Sequence, residues 1–291
     1  MSVLSVKDLS KSYGKHKVLD NVSLEIRPGE LVALVGPNGS GKTTFLNCIA
    51  NVINIDSGTV EILGKPHTDV SIFHKYSYMI DNTVLYGYLT GLDHLKFVCE
   101  TRKLSKDAVR KAVETIGIKN FITKKVKEYS LGMKQQLLLA MAILNEPDFL
   151  VLDEPFNGLD PTTIIKVRKL LMELREQGTT VFLSSHNLAE VDQMTSHIVF
   201  VKDGKFIVED ISKYQEDVYF FKVKNPDSTI GHLQAMGQLT VYRENGEIAV
   251  KTEGVGLNPV LERIQQMDEI ESMRKEIVGA EKRYVSLYGE T

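Results

Sequence analysis

The chain has 291 residues, of which 43% are hydrophobic and 25% are charged, proportions that are ordinary for a globular protein with a core of its own. The formal net charge of −3 lacks the basic excess of a nucleic-acid-binding protein, so we expect no nucleic-acid partner. No apolar run approaches the roughly 18 residues that a membrane-spanning helix needs, and the first residues lack the pattern of a signal peptide. We therefore expect a cytoplasmic chain whose cysteines, Cys48 and Cys99, are buried free thiols.

Short alternations of apolar and polar residues before about residue 30 predict a small antiparallel sheet, with Tyr13 in a loop between its first strands. Tyr13 offers an aromatic face on which a purine could stack, although a surface tyrosine taken alone more often has no such role. Residues 31–35 are all apolar, which is typical of a buried parallel strand. They lead directly into Gly36 to Thr43, which reads Gly-Pro-Asn-Gly-Ser-Gly-Lys-Thr.

This segment matches the phosphate-binding pattern G-x-x-x-x-G-K-[ST]. Its glycines let backbone N–H groups converge on an anion, and the helix predicted after it favours the same anion through its dipole. Lys42 adds a charge for the β- and γ-phosphates, which makes it a candidate catalytic residue, and the hydroxyl of Thr43 is a candidate ligand for Mg²⁺. We predict a bound nucleotide, and the loop residues assigned to it are Gly36, Asn38, Gly39, Ser40, Gly41, Lys42, Thr43 and Thr44.

The next third of the chain changes from strand patterns to helical ones. A strand candidate at residues 76–80 ends at Asp81. Between about residues 85 and 145 the apolar residues recur at helical spacing, with Phe97 among those of the first helix. Ser130 is a natural N-cap for the apolar helix that follows it, and Gly132 keeps the first turn of that helix open to an anion. We therefore expect a helical insertion over about residues 85–145.

Two more predicted strands are followed by residues whose side chains could act in phosphate chemistry. Asp153 and Glu154 follow the apolar residues 149–152, and His186 follows the strand at 180–185. The carboxyl ends of parallel strands meet at one edge of a sheet, where Asp153 could hold Mg²⁺ with Thr43 and where Glu154 could polarise a water. The alternatives are two acids in a surface turn and a structural histidine.

Strands that alternate with helices predict an α/β fold with a mostly parallel sheet. The helix predicted between these two strands, Thr163 to Glu176, places five apolar residues inward: Ile165, Val167, Leu170, Leu171 and Leu174. Beyond about residue 212 the element order becomes βαββαβ, with an Asn-Gly hairpin turn at 245–246 and a last helix from Glu281 to Tyr288. That order predicts a small ferredoxin-like α+β domain. We accordingly divide the chain into domains at 1–212 and 213–291.

Residues 3 to about 212 resemble the ATP-binding subunit of an ABC transporter. The resemblance is carried by six motifs in order, which are Tyr13 in the adenine-stacking position, the phosphate loop at 36–44, a signature at 129–136, Leu-Val-Leu-Asp-Glu-Pro at 150–155, Gly-Leu-Asp-Pro at 158–161 and Ser-Ser-His at 184–186. The resemblance implies a P-loop NTPase core with an antiparallel β subdomain and a helical insertion. The C-terminal domain lies outside it.

The resemblance also implies how the site is completed. Two such domains would face each other head to tail, with each ATP between one phosphate loop and the signature of the partner. Ser130 and Gly132 would then contact the γ-phosphate of the ATP held by the partner, and Asp160 would link the two sites. Glu154 is implied as the general base and His186 as the switch histidine. ATP would close the dimer, and hydrolysis would reopen it.

The chain departs from the usual family pattern at two places. Its signature reads Tyr-Ser-Leu-Gly-Met where Leu-Ser-Gly-Gly-Gln is common, a form that is similar to that of bacterial bacitracin, drug and peptide-antibiotic exporters. Asp81 stands where most members carry the glutamine of the Q-loop. An aspartate there is still a possible Mg²⁺ ligand, although it is shorter and cannot donate an amide hydrogen bond. The alternative is that Asp81 is only a loop residue.

From the resemblance we expect an ATPase that energises export of a hydrophobic or amphipathic compound, such as an antimicrobial or toxin-like peptide or a drug. The expected partners are a transmembrane permease subunit and a second ATP-binding protomer, in a homodimer or a heterodimer. The chain would contact the inner face of the cell membrane only through the permease. Three alternatives stay open: a soluble ABC ATPase that acts outside a transporter, a small-molecule kinase, and a regulatory subunit with reduced hydrolysis.

Overall fold

The computed structural model describes residues 2–214, 216–237, 239–252 and 256–289. The chain divides into two compact units, Met1–Asn187 with His197–Asp210, and Leu188–Ser196 with Ile211–Thr291. The second unit therefore includes a short segment that directly follows residues 184–187 of the first, in addition to the C-terminal part of the chain. None of the helices in these described ranges is long and apolar enough to cross a membrane.

The first unit is built on two sheets. Its strands are β1 (Leu4–Tyr13), β2 (His16–Ile26), β3 (Leu31–Val35), β4 (Ser57–Ile62), β5 (Lys65–Pro66), β6 (Tyr76–Met79), β7 (Phe149–Leu152), β8 (Thr180–Ser185), β9 (His197–Lys202) and β10 (Lys205–Asp210). One sheet has the order β2-β1-β4-β5, and its neighbours pair antiparallel. The other has six strands in the order β10-β9-β3-β8-β7-β6, and all of its pairs are parallel except β10 with β9. The α/β fold with an antiparallel subdomain is confirmed.

The three central strands of the six-stranded sheet are buried along their whole length, because every residue of β3, β7 and β8 lies in the interior. This is the reason that their sequences are almost continuously apolar rather than alternating. The first unit has a core that joins the two sheets, in which Phe45 makes an edge-on contact with Phe182 at 6.1 Å between ring centroids. Cys48 lies in this core, where burial raises the pKa of its thiol to about 11. Cys48 and Cys99 are both buried and free, as predicted.

The helices of the first unit are α1 (Lys42–Ile49), α2 (Gly91–Thr101), α3 (Lys106–Ile116), α4 (Leu131–Ile143) and α5 (Pro161–Glu176). The predicted helical insertion corresponds to α2, α3 and α4. One of the five residues that the sequence predicts to point inward in α5, Ile165, is exposed, and so is Phe97 among the apolar residues of α2. Their exposed fractions are 45% and 68%. In α5 the buried residues are Val167 and Leu171, which are four apart and therefore lie on one face of the helix. Ile165 is two positions before Val167, so its side chain points about 200° around the helix axis from that of Val167.

The second unit contains α6 (Leu188–Asp192), β11 (Glu216–Val223), α7 (Pro226–Gln234), β12 (Thr240–Glu244), β13 (Glu247–Lys251), α8 (Leu257–Gln265), β14 (Ile270–Val278) and α9 (Ala280–Tyr288). Its sheet has the order β12-β13-β11-β14 with antiparallel pairs, which is the ferredoxin-like arrangement predicted from the βαββαβ order. A separate apolar core includes Phe221 of β11, Leu233 of α7 and Val260 of α8. The predicted Asn-Gly turn joins β12 to β13.

A buried carboxylate fixes the start of α9. Asp192, at the end of α6, is 4% exposed and accepts hydrogen bonds at 2.9 Å from the backbone N–H groups of both Gly279 and Ala280. These are N–H groups that the helix cannot satisfy internally, and a negative charge at a helix N-terminus is also favoured by the helix dipole. Asp192 therefore ties the segment Leu188–Ser196 to the last helix of the same unit.

We predict that Asp192→Ala lowers the free energy of unfolding of the second unit by about 1–3 kcal/mol, because two buried N–H groups lose their acceptor. Urea unfolding, together with hydrogen exchange of the α9 amides, measures the change. Asp217→Ala is the matched control. It removes an exposed ion pair with Lys275 at 2.7 Å and should cost no more than about 0.5 kcal/mol. Equal protection of α9 in all three proteins would contradict the role of Asp192.

Candidate functional site

Three loops with chemistry-bearing residues leave the same edge of the six-stranded sheet. Val35, the last residue of β3, pairs with Ser185, the last residue of β8, and Leu152 at the end of β7 pairs with Leu183. The phosphate loop follows β3, the pair Asp153 and Glu154 follows β7, and His186 follows β8. Because these strands are parallel, their carboxyl ends lie side by side. The structure therefore brings together the residues that the sequence predicts for phosphate chemistry.

Glycine is required in the phosphate loop by its backbone and by its close contacts. Gly39 and Gly41 have φ angles of 81° and 105°, in the left-handed region that favours glycine. A Cβ atom on Gly41 would lie 2.9 Å from Cγ1 of Val18, and one on Gly36 would lie 2.7 Å from Oγ of Ser40. Helix α1 begins directly after the loop, at Lys42. The predicted order of strand, glycine loop and helix is confirmed.

One observation tests whether this loop fits a phosphate. The hydroxyl of Ser40 is buried, and no residue in the described part of the chain is its hydrogen-bond partner. A buried hydroxyl without a partner is costly, and a phosphate oxygen is an acceptor that would satisfy it. The oxygen donors of Thr43 and Asp153 are the kind that Mg²⁺ prefers. The residues at this edge thus fit a nucleotide bound with Mg²⁺.

Lys42 is held inside the site rather than extended into solvent. It is 6% exposed, and its Nζ donates to the carbonyl oxygens of Gly36 at 2.8 Å and Pro37 at 3.3 Å. The same ammonium lies 3.8 Å from Oε1 of Glu154. A buried charge with these oxygen partners is positioned for an anion at the loop.

Glu154 connects Lys42 to His186. Its Oε2 accepts a hydrogen bond from the backbone N–H of His186 at 3.3 Å and lies 2.8 Å from Nδ1 of the ring, which donates when Nδ1 is protonated. The His186 side chain is 55% exposed, whereas that of Glu154 is 19% exposed. The three side chains thus form a continuous chain of contacts that can hold a negative charge, accept a proton and pass it to solvent.

The main chain of Glu154 has an unusual conformation. Its φ angle is 48°, in the left-handed region that a residue with a side chain seldom adopts. The buried hydroxyl of Ser184 accepts from the N–H of Glu154 at 2.8 Å and donates to Oδ1 of Asp153 at 2.6 Å. Gln135 of α4 donates to the carbonyl oxygen of Glu154 at 2.8 Å. Gln135 and Ser184 lie within the motifs at 129–136 and 184–186, but neither is among the predicted site residues; the signal is a polar residue beside apolar ones in a helix or strand.

Asp81 lies two residues after β6, which is the neighbour of β7, the strand that Asp153 follows. The N–H of Asp153 donates to the carbonyl oxygen of Met79 at 3.1 Å, so the two loops begin side by side. Burial raises the pKa of Tyr78, and the negative charges of Asp153 and Asp81 raise it further. Asp81 is exposed and accepts from the N–H of Thr83 at 2.8 Å, as the N-cap of a short 3₁₀ helix.

The predicted signature residues form a second cluster. Ser130 caps α4 by accepting from the N–H of Met133 at 3.2 Å, as predicted. A Cβ atom on Gly132 would lie 2.8 Å from the carbonyl oxygen of Gly158, so the start of α4 packs directly on the loop that leads to Asp160. Among the described residues, no hydrogen bond or ion pair joins Ser130, Gly132 or Asp160 to the phosphate loop.

Two more predicted residues have defined surroundings. Asp160 is the N-cap of α5, and hydrogen bonds from the hydroxyl and then the backbone N–H of Thr163 hold the pKa of its carboxyl below the usual range. The prediction that Tyr13 lies in a loop is wrong, since Tyr13 is the last residue of β1 and pairs with His16, which leaves only Gly14 and Lys15 in the hairpin turn. Its ring is exposed, with the ammonium of Lys11 5.6 Å from the centroid.

A glycine loop between a buried strand and a helix, with an acid pair and a histidine at the same sheet edge, defines a nucleotide-hydrolysing domain of the P-loop class. The family model described as "ABC transporter" matches residues 19–157. A second model, described as "AAA domain, putative AbiEii toxin, Type IV TA system", matches residues 123–192.

Similar proteins agree with the first of these models. The uncharacterized ABC transporter ATP-binding protein YhcH of Bacillus subtilis is 34% identical over 100% of this chain and 97% of its own. The lantibiotic transport ATP-binding protein SrtF of Streptococcus pyogenes is 35% identical over 71% of this chain and 90% of its own. The bacitracin transport ATP-binding protein BcrA of Enterococcus faecalis is 36% identical over 71% of this chain and 68% of its own.

A solved dimeric ATP-binding cassette in a post-hydrolysis state with ADP and Pi has a TM-score of 0.65 and 28% identity, over 71% of this chain and 98% of its own. The chain belongs to the family of ABC transporter ATP-binding proteins, and it is an ATPase.

We predict that Ser184→Ala lowers the free energy of unfolding of the first unit by about 1–3 kcal/mol, because the buried N–H of Glu154 loses its acceptor and Asp153 loses a donor. Urea unfolding measures the loss. Ser105→Ala is the control, since Ser105 is exposed and its side chain makes no capping bond, so its effect should stay within about 0.5 kcal/mol. Identical midpoints for both variants would show that Ser184 does not support the site.

Proposed function

We propose that this chain is the ATP-hydrolysing subunit of a transporter that exports a hydrophobic or amphipathic compound, such as an antimicrobial peptide or a drug, through a separate permease. The observation that carries the proposal is the chain of contacts from Lys42 through Glu154 to His186 at the edge of the parallel sheet. It places a cation, a carboxylate and an imidazole beside a loop that fits phosphates. These are the groups that ATP hydrolysis needs.

Each member of that chain has a role in the proposal. Lys42 binds the β- and γ-phosphates and stabilises charge that develops on them. Glu154 is the general base that takes a proton from the attacking water, and its low exposure keeps the carboxylate beside the site rather than in bulk solvent. His186 orients the Glu154 carboxylate through its backbone N–H and its ring. Tyr13, exposed at the end of β1, stacks on the adenine.

The metal in the proposal is Mg²⁺, which supplies charge neutralisation between the β- and γ-phosphates when it is bound. Thr43, Asp153 and Asp81 are the residues that would hold it, directly or through water. Asp153 is oriented for this by the hydroxyl of Ser184, which engages one carboxylate oxygen and leaves the other available. Asp81 begins the loop beside Asp153, which supports its place in the same set.

A second ATP-binding protomer completes the site in the proposal. Ser130 and Gly132 contact the γ-phosphate of the ATP that the partner holds, and Asp160 contacts the partner near its own site. Within the described residues of one protomer, no hydrogen bond or ion pair joins this cluster to the phosphate loop, which supports the arrangement. So does the exposure of its tip, since Leu131, between the two signature residues, is 50% exposed. The partner in the proposal is a second copy of this chain or a related ATP-binding chain.

Exposed aromatic side chains support a permease partner. Tyr86, Tyr88 and Phe97, in and just before α2, are 58%, 68% and 68% exposed. Apolar surface of this kind beside the Asp81 loop is suited to short cytoplasmic helices of a membrane subunit. In that assembly the chain sits at the inner face of the cell membrane without entering it. The cargo class is proposed from the names of relatives that transport lantibiotic and bacitracin.

Glu154→Gln tests the proposed base. The amide keeps the shape of the side chain but cannot take a proton, so we expect ATP hydrolysis to slow by about 10²- to 10⁴-fold while ATP still binds. ATP-bound dimers should accumulate and be visible by size-exclusion chromatography with ATP and Mg²⁺. Turnover near that of the unmodified protein would remove Glu154 as the base.

Lys42→Ala is compared with Glu154→Gln, because it should lower the affinity for ATP as well as the rate of hydrolysis. Loss of the charged hydrogen-bond donor should weaken ATP affinity by about 10- to 100-fold and prevent the dimer from forming. Calorimetric titration with ATP and Mg²⁺ compares it with Glu154→Gln. Unchanged affinity in Lys42→Ala would count against the whole nucleotide site.

Asp81→Ala separates coupling from binding. Because Asp81 lies at the rim of the site beside the proposed permease surface, we expect the ATPase stimulation by the co-expressed membrane subunit to fall several-fold more than ATP affinity does. Asp81→Gln, which restores the residue common in the family, is the matched variant and should retain more of the stimulation. Full stimulation in Asp81→Ala would show that this aspartate is only a loop residue. A wild-type rate that the membrane subunit does not change would favour a regulatory subunit.

A further inference from the structure

Gln135 is a polar side chain in a helix that is otherwise apolar at its centre. It is 7% exposed, and α4 buries Leu137, Leu138 and Leu139 two to four residues further along. Its Nε2 donates to the carbonyl oxygen of Glu154 at 2.8 Å, across 19 residues of sequence. Burying a side-chain amide costs free energy unless it is hydrogen-bonded. The bond to the carbonyl oxygen of Glu154 therefore offsets the cost of burying Gln135.

The peptide unit that receives this bond carries the proposed base. Glu154 has a φ angle of 48°, which costs free energy for a residue with a side chain and persists only where its surroundings enforce it. Ser184 engages its N–H, while Gln135 and the N–H of Asn157, at 3.2 Å, engage its carbonyl oxygen. This backbone conformation sets the direction of the Cα–Cβ bond of Glu154, and with it the region that the carboxylate can reach.

Gln135 also lies on the helix that begins at the signature. Ser130 caps α4, and Gln135 is five residues further along, about 7.5 Å along the helix axis. Both residues belong to one continuous hydrogen-bonded helix, so a shift of α4 as a unit that displaces Ser130 also displaces Gln135. The start of the same helix packs on the loop that contains Gly158. A Cβ atom added to Gly158 would lie 2.5 Å from side-chain atoms of Leu131.

We propose that Gln135 is a positioning residue that makes the orientation of the Glu154 carboxylate depend on the position of the signature helix. The inference rests on the proposed function, in which Ser130 and Gly132 engage the ATP held by the partner. Engagement of the signature at one ATP then sets the base for the other ATP, through one buried hydrogen bond. This gives the two sites of a dimer a direct connection within each protomer.

Gln135→Met is the test, since methionine matches the volume of glutamine but cannot donate. The carbonyl oxygen of Glu154 keeps its bond from Asn157, so the fold should survive. We expect kcat for ATP hydrolysis to fall by about 10- to 100-fold, as a small misplacement of a catalytic group does, with KM for ATP and the calorimetric ATP affinity unchanged within about twofold. Gln135→Glu, which presents a carboxylate to the carbonyl oxygen, should lose more of kcat than Gln135→Met.

Gln177→Met is the matched control, because Gln177 is an exposed glutamine at the end of α5, and its kcat should equal that of the wild type. Rates are compared per folded protein, below the melting temperature of every variant. Equal kcat in Gln135→Met and Gln177→Met would overturn the inference, as would a loss in which KM rises and kcat does not change.

The outcome is distinguishable from failure of the proposed function. If the wild-type protein hydrolyses ATP and Glu154→Gln stops it, but Gln135→Met is fully active, then only the role of Gln135 is wrong. If the wild type shows no hydrolysis alone or with its membrane subunit, the proposed function itself is wrong. A double variant with Ser130→Ala completes the test, because linked residues should give a smaller combined loss of kcat than the product of the single losses.

Discussion

The parallel pairing of β3, β8 and β7 is the constraint on which the site depends. In this pairing Val35 lies beside Ser185 and Leu152 beside Leu183, so the chain leaves three buried strands at one edge. A slip of one residue in either pair would turn every side chain of a strand to the opposite face and move the loop that follows it. The contacts of Lys42 with Glu154 and of Glu154 with His186 therefore exist only because the apolar strands set this register.

Buried polar groups convert that register into a defined geometry. The hydroxyl of Ser184 joins Asp153 to the N–H of Glu154, and the amide of Gln135 holds the carbonyl oxygen of the same residue. Such groups are stabilising in the interior only when every one has a partner, which makes the arrangement intolerant of displacement. The left-handed conformation of Glu154 is maintained in this way, and it directs a carboxylate into the site rather than along the strand.

The two units of the chain place their polar residues differently. The first places its polar residues at strand ends, where backbone geometry makes a binding edge. The second places a carboxylate, Asp192, against the first turn of its last helix and surrounds an apolar core with exposed ion pairs. Its segment Leu188–Ser196 follows the site histidine directly in sequence, so one covalent chain passes from the proposed catalytic edge into the ferredoxin-like unit.

The sequence by itself determined the features that depend on neighbours along the chain: the glycine loop, the apolar strands, the N-cap Ser130, and the order of elements in both units. Tertiary structure alone decided which faces are covered, so Ile165 is exposed although its apolar side chain was predicted to point inward. It also decided the partners of Gln135 and Ser184, which lie 19 and 30 residues from Glu154. Hydrogen bonds over such separations form only after the helix and sheet have packed, and no local pattern encodes them.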